Sequence, residues 1–232
     1  MNAARPVLYS AAVCPFAHRV RLALAEKGVP CEQVEIDLDA IPDWFRRLSP
    51  YGKVPLLVRG EDRVWESAVI NEYIEEVWSS PPLMPARPGP RAEVRMWVDH
   101  ADQHFVSDFY RLLLVQEPER RARIAARLTE TLRYMDREGP GAHGGPYWLG
   151  GRVTLADLAY YPFFERLGVL EHYRGFRLPE DCRALARWRV AMAGRPAVAA
   201  CARDLGFYLP RYARYADATV DSDTAREVME DA

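Results

Sequence analysis

Five prolines fall within twelve residues of this chain, in the run Ser79-Ser80-Pro81-Pro82-Leu83-Met84-Pro85-Ala86-Arg87-Pro88-Gly89-Pro90. Proline lacks the backbone N–H that a helix interior or a central strand needs, so such a run interrupts both. It divides the 232 residues at about one third of their length. What folds before it and what folds after it are therefore expected to be separate units: residues 1–80, a linker over 81–90, and residues 91–232.

The two sides carry different periodicities. Before the prolines, short β-prone runs alternate with helical stripes. Pro6–Ser10 reads as a strand and Phe16–Lys27 as a helix stopped by Gly28. Cys31–Asp37 reads as a second strand, and Pro42–Leu48 as a short helix opened by proline. Val54–Val58 and Arg63–Trp65 flank a Gly60-Glu61-Asp62 turn, and Glu66–Trp78 carries Val69, Ile70, Tyr73, Ile74 and Val77 on one side. The order is β-α-β-α-β-β-α. After the prolines no strand is evident. Helices are expected over Arg91–Glu117, Glu119–Glu138, Thr154–Leu167, Cys182–Gly194 and about Ala197–Asp204, with a glycine-rich loop at 139–145 and a polar, frayed tail from about Ala216. A small α/β unit followed by an all-α unit is the pattern of two segregated domains.

Composition narrows the chemistry. Thirty-one basic and 33 acidic residues give a formal charge of −2, so there is no electrostatic footprint for nucleic acid or an anionic membrane. No apolar run approaches the ~20 residues that span a bilayer, and the N-terminus has no secretory segment, so the expected compartment is the cytoplasm. The four cysteines, Cys14, Cys31, Cys182 and Cys201, are scattered. That is the usage of a reduced interior, with neither a disulfide framework nor zinc-ligand spacing.

Three local features carry chemistry. Cys14-Pro15-Phe16-Ala17-His18-Arg19 lies between a strand and a helix. There the unpaired N–H groups and the dipole of the helix start favour thiolate over thiol, and a lowered pKa is expected for Cys14. Val54-Pro55, after Gly52-Lys53, opens a strand. Glu66-Ser67 opens a helix, where serine and free N–H groups can seat a carboxylate and the glutamate can receive an ammonium. His100 and His104, four residues apart, could form a metal pair, but two histidines alone do not make a site and no metal is expected.

In their order and spacing these features resemble the thioredoxin-like domain of the glutathione S-transferase superfamily, followed by its all-helical C-terminal domain. Gly151-Arg152-Val153-Thr154-Leu155-Ala156-Asp157 is similar to the capping box of that family's central second-domain helix. The resemblance covers roughly residues 5–205. It implies that Val54-Pro55 is cis and that the backbone of Val54 pairs with the cysteinyl part of glutathione. It also implies that Glu66 and Ser67 hold the γ-glutamyl end, that Lys53 reaches the glycyl carboxylate, and that Phe16 packs near the peptide. A cysteine at position 14 resembles the omega and dehydroascorbate reductase classes. It implies a thiol transferase in which Cys14 forms a mixed disulfide with glutathione as co-substrate and a small electrophilic or oxidised molecule as second substrate. Ala17, three residues on, leaves no resolving cysteine. Ile41 stands where omega proteins commonly carry lysine. Trp97, His104, Phe105, Phe109 and Tyr110 are the expected wall of the second-substrate cleft, and a homodimer is the family's usual state. The alternative is a non-enzymatic regulator, since Trp65-Glu66-Ser67 and Pro81-Pro82-Leu83-Met84-Pro85 also resemble the stringent starvation protein, a partner of bacterial RNA polymerase. Serine-dependent isomerases or dehalogenases and membrane-inserting relatives of the fold fit Cys14 and the first helix less well.

Overall fold

The computed structural model describes residues 4–230. Among them the strands β1 (Val7–Ser10), β2 (Glu32–Glu35), β3 (Leu56–Arg59) and β4 (Asp62–Trp65) form a sheet in the order β2-β1-β3-β4. β1 runs parallel to β2, with Val7 opposite Glu32, and antiparallel to β3, with Leu8 opposite Leu57. The parallel pair requires a crossover, and α1 (Pro15–Glu26) supplies it. α1 starts at a proline, stops before Gly28 at φ +61°, and buries Val20, Leu22, Ala23 and Leu24. α2 (Asp43–Leu48) and α3 (Ser67–Val77) complete the first domain.

The proline-rich segment is pinned by charge. Lys27 is buried and donates from Nζ to the Trp78 and Pro81 carbonyls at 2.6 and 2.8 Å while pairing with Glu75 at 2.7 Å. Glu75 in turn accepts the N–H groups of Leu83 and Met84. Ser80-Pro81 is cis. The linker ends earlier than its prolines suggest, because α4 (Pro88–His100) opens at Pro88. Pro88 and Pro90 sit in the first turn, where a missing N–H costs nothing.

The single helix read over Arg91–Glu117 is three pieces. α4 passes into a π-helical turn, Ala101–Val106, and then α5 (Ser107–Leu114). Next come α6 (Pro118–Glu138), α7 (Pro140–His143), α8 (Leu155–Glu165), α9 (Leu167–Arg174), α10 (Arg183–Ala193) and α11 (Pro196–Cys201). The expected frayed tail is a correction. The residues from Ala216 on include the helix α13 (Asp223–Glu230), and α12 (Leu205–Ala216), not read from the sequence, precedes it. α12 buries Tyr208, Tyr212 and Tyr215 at helical spacing, a stripe masked in the sequence by Pro210 within it. α9, likewise unread, follows α8 after one residue, Arg166, and begins where the helix expected over Thr154–Leu167 ends.

α8 is buried along its length and joins the domains. Arg19 of α1, itself buried, donates from Nε to the Ala159 carbonyl at 2.9 Å and from Nη1 to Ser67 Oγ at 3.3 Å, and pairs with Asp102 of the π turn at 2.8 Å. Arg166, equally buried, stacks over Tyr208 at 4.0 Å and donates to the carbonyls of Pro162 and Val13.

Two histidines tie this packing to pH. Burial and the nearby His104 hold His100 at about 4, and its Nδ1 lies 2.8 Å from the Tyr160 hydroxyl. Burial and Arg166 hold His18 well below its ordinary value. The unfolded chain therefore takes up protons first as pH falls, so stability is complete above about pH 6.5 and is lost toward pH 4. Urea melts at pH 7 and pH 5 should show the loss, and His100→Gln should remove about 1–2 kcal/mol of it, discounted for the partial exposure of the ring. A flat profile over that window would refute the assignment.

Candidate active site

The N-terminus of α1, the β3 entry and the N-terminus of α3 converge at the mouth between the domains, around a cavity of about 640 Å³. Cys14 lies at its inner end as the N-cap of α1. Its sulfur accepts the Ala17 N–H at 3.5 Å and its thiol faces the Val54 carbonyl at 3.9 Å. The seven residues singled out from the sequence, Cys14, Phe16, Lys53, Val54, Pro55, Glu66 and Ser67, all line this cavity. Val54-Pro55 is cis.

The local backbone explains the γ-glutamyl side. Glu66 has φ 63° and ψ 118°, a region that L-residues rarely occupy. It is the N-cap of α3, and the turn it makes brings Glu66 and Ser67 to the cavity wall. Glu66→Gly should raise stability by about 1 kcal/mol, because glycine enters positive φ freely, while weakening any ammonium-bearing ligand. Thermal melts and glutathione titration would check this, and a less stable variant would show that the backbone is unstrained.

Two expectations are corrected. The Cys14 thiol is pushed up from its ordinary value, not down. Burial outweighs the Ala17 and Phe16 N–H groups and the cations Arg21 and Arg166, all of which pull it down. Lys53 also lines the cavity, where its Nζ pairs with Glu227 of α13 at 2.6 Å. Of the five expected wall residues, only Tyr110 lines the cavity. Trp97, Phe105 and Phe109 are core, and the ring of His104 lies 5.0 Å from that of His100. Among the described residues no three His, Cys, Asp or Glu side chains are grouped to hold a metal ion.

Sequence reasoning missed much of the far wall. Asp102 and Val106 come from the π turn, Tyr212 and Tyr215 from α12, and the segment from Asp221 to Val228 forms part of the lining. Arg111 holds that segment through the Val228 carbonyl at 3.1 Å, and Ala225 is buried beneath it. Arg46, beside Gly52, also reaches the cavity. The spacing of Tyr208, Tyr212 and Tyr215 was the one readable signal.

A four-stranded thioredoxin-like domain joined to a helical bundle, with a cis proline and a helix-capping cysteine facing the cleft between them, defines the architecture of glutathione transferases. Residues 8–82 match the family described as glutathione S-transferase, N-terminal domain, and residues 118–191 match glutathione S-transferase, C-terminal domain. The chain belongs to the glutathione S-transferase superfamily. It is 37% identical over 185 residues to a rice protein named probable glutathione S-transferase DHAR1, cytosolic, covering 78% of this chain and 80% of that one. It is 32% identical over 152 residues to the stringent starvation protein A homolog of Haemophilus influenzae, covering 66% and 70%. The structure of glutathione transferase Omega 3C from Trametes versicolor superposes with a TM-score of 0.83 at 31% identity, covering 94% and 92%. That of rice GST1 in complex with glutathione gives 0.84 at 26%, covering 95% and 100%. No helix among the described residues is long and apolar enough to cross a membrane.

Proposed function

We propose that the chain is a glutathione-dependent thiol transferase of omega or dehydroascorbate reductase type, working through Cys14 in the cytoplasm, with residues 1–80 as the glutathione-binding unit. The carrying observation is that the Cys14 sulfur opens onto a cavity which also gathers Phe16, Lys53, Val54, Pro55, Glu66 and Ser67. Val54 offers its backbone to the cysteinyl unit. Ser67 and the N–H groups at the start of α3 take the γ-glutamyl carboxylate, and Glu66 takes the ammonium. Lys53 takes the glycyl carboxylate once Glu227 releases it. The exposed pair is weak and easily exchanged. Cys14 as thiolate attacks a glutathionyl disulfide, and a second glutathione resolves the enzyme-bound disulfide. No metal takes part.

The family name of the relatives supports glutathione as co-substrate, and the cysteine at the helix start supports exchange over conjugation. The polymerase-binding alternative has a relative of its own but gives no role to a capping thiol facing a cavity. A homodimer is proposed through α3 and α4, which expose Val69 and Met96 on either side of the bidentate Arg95–Glu72 pair. Incubation with oxidised glutathione followed by peptide mass spectrometry should find one glutathionyl group on Cys14. A thiol that stays unmodified, together with retention of RNA polymerase in a pull-down, would favour the regulator.

A further inference from the structure

The attack on a mixed disulfide expels a thiolate, RS⁻, and the site must accommodate that charge. Most cations around the cavity are already engaged: Lys53 with Glu227, Arg211 with Asp39, Arg226 with Asp221, and Arg19, just behind the wall, with Asp102, while Arg46 lies beside Gly52 on the near wall. The far wall instead presents phenols. Tyr110 of α5 and Tyr212 of α12 both line the cavity and are 3% and 2% exposed, with rings stacked 16° apart at 6.4 Å. Their hydroxyls are hydrogen-bond partners of one another, and Cys14 lines the same cavity. The third ring, Tyr215, has its hydroxyl 3.3 Å from Ser222 and is spoken for.

We infer that the paired phenols stabilise the leaving thiolate, Tyr110 donating to the Tyr212 hydroxyl and Tyr212 donating to the sulfur, so that Tyr212 is a further catalytic residue of the exchange reaction and Tyr110 positions it. The inference rests on the thiol-transferase reading above. In the first step the Cys14 thiolate attacks the glutathionyl sulfur of RS–SG. The S–S bond breaks, the Cys14–SG bond forms, and the electron pair leaves on RS⁻ against the Tyr212 hydroxyl. RS⁻ takes the thiol proton of an incoming glutathione. The glutathione thiolate so formed attacks the Cys14-bound sulfur, restoring the Cys14 thiolate and releasing oxidised glutathione. The sum is RS–SG + GSH → RSH + GSSG. The phenols stay protonated throughout, since burial raises Tyr110 well above its ordinary value and Tyr212 to about 12. They are donors at every working pH, not acids that surrender the proton.

The test varies the leaving group. Tyr110→Phe, Tyr212→Phe and the double variant keep both rings and remove only the hydroxyls. They are assayed with two glutathione mixed disulfides, one of 2-mercaptoethanol and one of a nitro-substituted aromatic thiol. The alkyl thiolate needs donors, whereas the aromatic one spreads its charge over its own ring. Expected is a roughly 10- to 100-fold fall in kcat for the alkyl substrate in the double variant, with less than about a threefold change for the aromatic one. An equal fall for both substrates would mark a packing role and overturn the inference, as would no fall for either. The single variants decide the matter if the double variant fails to fold. Failure of the underlying reading looks different: Cys14 would then take no glutathionyl group and neither substrate would turn over in the unsubstituted protein.

Discussion

Cys14→Ser should abolish glutathione-dependent reduction of a small mixed disulfide, by about 10³-fold or more, while the protein stays folded and still binds glutathione. The loss follows from the chemistry of the atom. A serine hydroxyl does not ionise near neutral pH without an adjacent base, and it cannot form the covalent disulfide on which the exchange depends. The fold should survive because position 14 is a helix N-cap. Sulfur accepts the Ala17 N–H at 3.5 Å, and serine oxygen is a stronger acceptor in the same place. Binding should survive because the groups proposed to grip the tripeptide, on Val54, Glu66 and Ser67, are untouched. Since burial raises the Cys14 thiol, the unsubstituted protein should gain rate steadily as pH climbs through neutrality toward 9. Initial rates in a glutathione reductase-coupled assay across that range, beside thermal melts and glutathione titration of both proteins, would check each part. Residual exchange in the serine variant would remove Cys14 from the mechanism.

The sequence disclosed most where local chemistry and tertiary position agree. Cys14-Pro15 marks a helix start whatever surrounds it, Gly28 marks its end, and the Thr154–Asp157 capping box announces α8 within one residue. The near side of the cavity was readable for that reason, since it is made of helix and strand ends. The far side is assembled by distant packing. Tyr212 and Tyr215 reach it only because α12 continues through Pro210, and Glu227 reaches Lys53 only because α13 folds back 174 residues later. Polar residues in the tail looked like a frayed end because their partners lay on other elements. The sign of the Cys14 shift was missed for a related reason. The helix terminus acts locally and can be read from residues 14–17, whereas the burial that outweighs it exists only once the chain has packed.

Asp157→Ala should cost about 3–5 kcal/mol, a large part of the stability a domain of this size commands, and it should do so far from the cavity. The Asp157 carboxylate is fully buried and accepts four hydrogen bonds. Oδ1 takes the Trp148 N–H and the Trp188 indole N–H, each at 2.8 Å, while Oδ2 takes the Thr154 N–H at 2.7 Å and the Thr154 hydroxyl at 3.0 Å. One side chain thus closes the start of α8, the loop before it and α10. Alanine would strand four donors where water cannot reach them, and unpaired buried donors cost more than their bonds contribute. Asparagine should fall between, at about 2 kcal/mol, since one amide edge still accepts while the other sets N–H against N–H. Thr154→Ala should lose only about 1 kcal/mol, the cost of one cap. Urea titration of the three variants would establish the order, and an alanine variant within about 1 kcal/mol of the parent would show that the carboxylate is not the keystone of this corner. The loss should reach Cys14 as well. α8 holds α1 through the Ala159 carbonyl, and Arg166, at the far end of α8, donates to the Val13 carbonyl one residue before the nucleophile. At low temperature, where the variant remains folded, activity per folded molecule should be nearly normal. On warming, activity should disappear in the same range as helical structure, because the platform beneath the thiol and the bundle unfold together.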